Sequence, residues 1–420
     1  MRTFHSAFLA AAIALCACKS EPQCPPAPTA APAAPSTNAP ASNAPTSTTV
    51  KPAKLEPTVS APHVEPLEPC EAHDRLPIDA ARAYYDEEKY SQALACAAQA
   101  AALFPGNVLA HTEKGNALVM LGRFDEAKQA FARALAVDPE SLDALLGAAH
   151  LYGVDLPSNR ENDELASLYA ERGLELSRES NDEETALQFG RLAAMIFNDL
   201  GQAADALDRA DWVLARAPKD GDAKYEKAMA LFELCRFSEA KKAFTDLLND
   251  PTRKAHAHHH LGLILEREGK LADAQKHLDQ AHQLAAEDFP LPVLLTADEF
   301  KAEVTKAMSA LPDDMKKDVQ GIPVDTADLP ATDDLTSGDP PLSPTILGLF
   351  RGPPLQEPCE AEPGAKPGTP CRSVVLYRKN LARAVRSHDE LIEQIRVTLL
   401  HEIGHLRGED DVELAARGLE

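Results

Sequence analysis

The sequence predicts a mainly α chain: a solenoid of repeated helical pairs followed by a small α+β domain. Three observations lead there. Alanines and prolines recur 34 residues apart through the middle of the chain, as Ala93 and Ala127, Ala100 and Ala134, and Pro105 and Pro139 show. Past about Leu291 that period is gone, and SVVLY, Ser373 to Tyr377, reads as a short, β-branched strand. An amphipathic helical pattern then carries HEIGHLRGEDD, His401 to Asp411. With 420 residues the chain exceeds one ordinary hydrophobic core, so at least two folded parts are expected. A net charge of −24 argues against a nucleic-acid partner, because phosphates are neutralised by clustered Lys and Arg.

The first residues, MRTFHSAFLAAAIALCAC, carry one early Arg and then an apolar run from Ala7 to Leu15. That run is shorter than the ~20 residues of a bilayer-spanning helix, so residues 1–18 read as a signal peptide. Its end, Leu15-Cys16-Ala17-Cys18, resembles the lipobox of bacterial lipoproteins. The resemblance implies that Cys18 is lipidated and anchors the exported chain in a membrane. Lys19, where Asp is absent, implies the outer membrane, with the protein facing the periplasm; the alternative is a secreted or cell-surface protein cut nearby. Residues 19–69 are mostly Pro, Ala, Ser and Thr and bury too little to offset their ordering entropy, which predicts a disordered, extended tether.

An exported chain lives where disulfides persist. Cys359 and Cys371 share one Pro/Gly-rich loop, so a local bridge between them is expected. Cys24 and Cys70 are read as paired or free, and Cys96 and Cys235 as lone thiols at buried helical positions.

Over residues 70–290 the period continues through Ala206, Ala240 and Ala274. Ala127 and Ala206 lie 79 apart, two periods plus 11, so the third unit is expected to carry an insertion around YGVDLPSNREND. Two amphipathic helices per period, small residues where helices cross and Pro after the second helix resemble the tetratricopeptide repeat. Gly115, Ala127, Phe131, Ala134 and Pro139 fall on that family's slots, as do Gly262, Ala274 and Ala281 in the last unit. About six units are expected. The resemblance implies a concave groove that takes protein or peptide substrates and partners. AHAHHH offers His256, His258, His259 and His260, of which His256 and His260 have ligand spacing. With no adjacent carboxylate base, they read as a solvated or groove-lining face.

Residues 301–420 predict a helix to about Ala310, a further short helix, a strand near Gly321 to Val324, an irregular stretch with an apolar patch at Ile346 to Phe350, and the strand SVVLY. One or two helices follow, with Ser387 as N-cap and Glu390 three residues on.

His401 and His405 point the same way on a helix, because four residues advance about 400°. Glu402 follows the first histidine and places a carboxylate beside that face, where it can take a proton from water. Gly408 is where a helix can end and the chain turn back. Zinc needs a third protein ligand and an open fourth position. His388 lies 13 residues before His401, about 20 Å along a helix, and cannot share the ion. Only 15 residues remain after His405, so the ligand is sought in the turn: Asp411 first, with Asp410 and Glu409 as alternatives.

The pattern H-E-x-x-H-x-x-G-x-x-D resembles the metzincin motif with Asp replacing the last His. With its short strand, RKN and a helix before it, the region is similar to the small bacterial zincin-like metallopeptidase domain, or minimal zincin. That resemblance implies Zn2+ on His401, His405 and Asp411, with Glu402 as general base and peptide bonds as substrate. The Met turn of larger metzincins is missing, since the last Met, Met315, lies upstream. SVVLY is expected at the sheet edge, able to pair with an extended substrate, and Tyr377 and Arg378 are the nearest candidate oxyanion donors. Two functions follow: a lipid-anchored cell-envelope zinc metallopeptidase whose repeats recruit protein substrates, or a non-catalytic repeat scaffold for envelope protein assembly with an inactive terminal domain.

Overall fold

The computed structural model describes residues 69–72, 75–360 and 370–419. The leader, Cys18, Cys24 and residues 19–68 of the tether lie outside them.

Between Pro77 and Leu284 twelve helices form six hairpins: α1 Pro77–Asp86 with α2 Tyr90–Leu103, α3 Val108–Met120 with α4 Phe124–Val137, α5 Leu142–His150 with α6 Arg160–Glu179, α7 Glu183–Asp199 with α8 Ala203–Arg216, α9 Gly221–Glu233 with α10 Phe237–Asp246, and α11 Lys254–Arg267 with α12 Leu271–Leu284. The periodic alanines explain the spacing. Ala127, Ala206 and Ala240 are fully buried where second helices cross their neighbours. At Gly115 a Cβ would sit 2.7 Å from the Phe131 ring, so only glycine lets α3 and α4 approach that closely.

The insertion is divided rather than confined to the third unit. Units three and four start at Leu142 and Glu183, and unit five at Gly221, spacings of 41 and 38 residues. Of the seven extra residues in unit three, two precede α6, where a π-helical turn at Leu151–Asp155 follows α5, and the other five fall with α6 itself, which runs to 20 residues; the four of unit four lengthen α7 to 17 residues. Sequence spacing alone reports only their total.

Two cysteine expectations are corrected. Cys96, fully buried on α2, is bridged to Cys70 with Cα atoms 4.5 Å apart. Cys235 is not helical: it occupies the turn between α9 and α10 at φ 57°, the slot that glycine fills in Gly201 and Gly269. Cys359 is bridged to Cys371, with Cα atoms 5.8 Å apart.

The histidines of α11 are packed, not solvated. His260 stacks on Phe244 at 4.7 Å, and His259 stacks on Phe289 at 4.5 Å. His256 meets Tyr225 and Phe289 edge-on, and His258 Nδ1 lies 3.0 Å from His277 Nδ1. Aromatic neighbours from α9, α10 and the segment after α12 use up the face that the sequence left open.

The C-terminal domain begins with α13 Ala297–Ala310, capped by Thr296 and Glu299, and continues with α14 Asp313–Asp318, β1 Val324–Ala327, α15 Thr332–Leu335, β2 Gly348–Arg351, β3 Ser373–Tyr377, α16 Arg378–Ala384, α17 His388–Arg407 and α18 Asp411–Ala416. The strand order is β1-β3-β2, with β1 parallel and β2 antiparallel to β3. SVVLY is therefore the central strand, not an edge, and all five of its residues are buried. Val374 and Leu376 join the core with Leu391, Ile395, Leu399 and Ile403, while Val375 and Tyr377 face Leu335 and Ile346. The patch read as irregular supplies β2, and β1 starts at the end of its expected span because Gly321 turns the chain at φ 83°.

The solenoid and this domain form one compact unit. Glu266 of α11 accepts hydrogen bonds from Lys379 at 2.9 Å and Arg383 at 2.6 Å, both on α16. Arg267 donates to the Pro330 carbonyl, and Cys235 and Phe237 pack under Val375 and Tyr377.

Candidate metal centre

Helix α17 is built to carry a site. Ser387 caps its start by accepting the Glu390 N–H, and Leu391, Ile395, Leu399, Ile403 and Leu406 form its buried stripe. Gly408, at φ 87°, closes it in a Schellman turn, with Glu409 N–H bonded to the Gly404 carbonyl and Gly408 N–H to that of His405. The chain then reverses into α18, whose Leu414 lies against Gly404, where a Cβ would meet Leu414 Cδ2 at 2.3 Å.

This reversal brings three side chains together. The Nε2 atoms of His401 and His405 are 3.0 Å apart, and Asp411 Oδ1 lies 3.5 Å from the first and 3.3 Å from the second. One ligand atom from each falls within 4.8 Å of the others, the one such group of three among the described residues. The other two acids of the turn go elsewhere: Asp410 caps α18 by accepting the Glu413 N–H, and Glu409 pairs with Arg417. His388 sits at the far end of α17.

The far nitrogens settle which atoms face inward. His401 Nδ1 lies 2.6 Å from the Leu419 carbonyl and His405 Nδ1 3.0 Å from that of Glu409. A carbonyl only accepts, so each Nδ1 carries the proton and each Nε2 presents a lone pair. Asp411 Oδ1 is buried with no hydrogen-bond partner. Two lone pairs and a carboxylate oxygen repel unless a cation lies among them, so the donor set fits a metal ion. With no metal bound, a proton on either Nε2 would be that cation, and the three groups draw positive charge strongly. Burial opposes charge on both imidazoles, yet Asp411 holds them above the usual histidine range. Burial would raise the Asp411 carboxyl, but the two imidazoles hold it well below the usual carboxylate range.

Glu402 is 6% exposed, and burial raises its carboxyl above the ordinary glutamate range despite both imidazoles and a hydrogen bond from the Phe350 backbone. Tyr377 N–H bonds to the Leu347 carbonyl, so in the antiparallel ladder Gly348 and Phe350 turn their N–H groups to the open edge of β2. Gly348 makes room: a Cβ there would lie 2.7 Å from Glu402 Oε1. The edge strand beside the site is thus β2. Tyr377 faces the repeats, and Arg378 is committed to Asp328 and the Leu295 carbonyl, so neither is placed as an oxyanion donor. Sequence reading missed Gly348, Phe350 and the two carbonyls; the glycine inside an apolar run was the available signal for a close approach.

Residues 319–419 match the zincin-like metallopeptidase family, and residues 78–141, 112–152 and 191–240 match the tetratricopeptide repeat. The chain carries tetratricopeptide repeats and a C-terminal zincin-like domain. The zincin-like family implies a metal, usually zinc. Solved structures similar to the chain include YrrB, a repeat protein with an unusual peptide-binding site, at 19% identity, 46% of this chain, 93% of that chain and TM-score 0.37. PilW, a type IV pilus biogenesis factor, matches at 19% identity over 51% of this chain and 94% of its own, TM-score 0.42. PilF of Pseudomonas aeruginosa matches at 15% identity over 54% and 96%, TM-score 0.42. No curated protein matches the chain. Among the described residues, no helix is long and apolar enough to cross a membrane.

Proposed function

We propose that the chain is an exported, lipid-anchored zinc metallopeptidase whose zincin-like domain cleaves peptide bonds in proteins that the repeats recruit. The observation that carries the reading is the convergence of two Nε2 lone pairs on a buried Asp411 oxygen without a hydrogen-bond partner. His401, His405 and Asp411 would hold Zn2+, which supplies Lewis acidity toward a carbonyl and acidifies water when bound. Glu402, next to His401 on α17, would serve as general base, taking a proton from water and returning it to the leaving amine. With the Phe350 N–H held by Glu402, the Gly348 N–H is the outward donor of β2 left for pairing with an extended substrate.

Lipidation at Cys18 and export rest on the leader sequence, and the bridges Cys70–Cys96 and Cys359–Cys371 support an oxidising compartment. Outer-membrane placement follows the Lys19 reading. The test is metal content together with hydrolysis of denatured protein substrates by wild type and Glu402→Gln. Zinc in both, with activity in the wild type alone, supports the peptidase. Zinc in both with no hydrolysis by either favours the scaffold reading, which the burial of Glu402 beneath β2 also fits.

A further inference from the structure

Both histidines owe their orientation to backbone that lies beyond α17. The nearer acceptor, the Glu409 carbonyl, belongs to the Schellman turn itself. The Leu419 carbonyl is eighteen residues from His401 and arrives from the far end of α18. A helix of six residues has no stability of its own, so its position is set by what fastens it. Asp410 and Glu413 cap each other at its start. Leu414 is fully buried over Gly404, and Arg417 pairs with Glu409. Gly418 turns the chain at φ 70°, Leu419 N–H bonds to the Leu414 carbonyl, and the Leu419 side chain is 7% exposed.

Resting on the zinc reading above, we infer that Leu419 is a positioning residue: its carbonyl selects the His401 tautomer that presents Nε2 to the metal. Residues 409–419 then act as one strap, which supplies the ligand Asp411 and orients the other two ligands. Without the Leu419 acceptor, His401 is free to carry its proton on Nε2, where it blocks ligation. Glu409 would still fix His405, so loss of the strap's end is specific to one ring.

The test uses the full chain with 15N-labelled histidine, in wild type, a form ending at Leu419 and a form ending at Gly418. The form ending at Leu419 keeps the acceptor and should bind zinc as wild type does. The form ending at Gly418 should bind roughly 10- to 100-fold more weakly, the usual cost of losing an outer-shell partner. In zinc-free protein its His401 should move toward the Nε2–H tautomer while His405 keeps Nδ1–H. Equal zinc affinity in the two shortened forms overturns the inference, as does an unchanged His401 tautomer. Loss of both tautomers together also overturns it, because Leu419 would then be holding the whole strap and not His401. If wild type binds no zinc, the zinc reading fails, and the tautomers of the zinc-free forms still decide the role of Leu419.

Discussion

Gly348 shows how a single residue can bear on the proposed chemistry without reacting. The Cβ that an alanine adds there falls 2.7 Å from Glu402 Oε1 and 2.8 Å from Thr398 Cγ2, both on α17. Gly348→Ala should cost about 1–3 kcal/mol of stability from overpacking, seen as a lowered Tm. It should also slow hydrolysis with zinc content unchanged, because the displaced group is the base and not a ligand. Glu402→Gln should lower kcat by at least ~10²-fold and likewise retain metal. At this scale much of the site was legible. His401, Glu402, His405, Gly408 and Asp411 declare themselves by spacing on a helix and a turn. Gly348, Phe350 and Leu419 do not, because they act through backbone groups or through the absence of a side chain, and their partners lie far away in sequence.

Among the elements, α11 does more than complete the solenoid. Its Glu266 carboxylate is 9% exposed and holds Lys379 and Arg383 of α16. Glu266→Gln leaves two half-buried cations without their main partner and should destabilise the protein by about 3 kcal/mol, measured by denaturant unfolding. The same helix makes stability fall with acid. Burial depresses His260 to about 4 and carries His259 well below its usual value. A histidine depressed in the folded state contributes stability above its unfolded pKa near 6.5, and that stability is lost as pH falls toward the folded value. From pH 7 to pH 5 His260 alone should account for a loss of about 2 kcal/mol, and His260→Phe, which keeps the ring on Phe244, should reduce it. Helical periodicity identified the repeats because packing within a hairpin is local. It could not place SVVLY in the sheet, since a wholly buried strand and an edge strand differ in their neighbours, and β2 was four residues of a Pro-flanked patch.

Across the whole molecule, the repeats and the zincin-like domain share ion pairs and a common apolar layer, in which Cys235 and Phe237 meet Val375 and Tyr377. A segment starting at Ala297 gives up Glu266 and that layer. It should unfold at a lower denaturant midpoint than the same domain in the full chain, which should unfold as one transition. Two separate transitions, with the later one unchanged in the isolated segment, would show the repeats to be an independent appendage.

The central claim is that one ion sits between His401, His405 and Asp411, and metal analysis of the purified full chain tests it most directly. Wild type and Glu402→Gln should each retain about one zinc after dialysis, and His405→Ala and Asp411→Asn should retain almost none while keeping their far-UV circular dichroism. Zinc bound equally by all four, or by none, would contradict it.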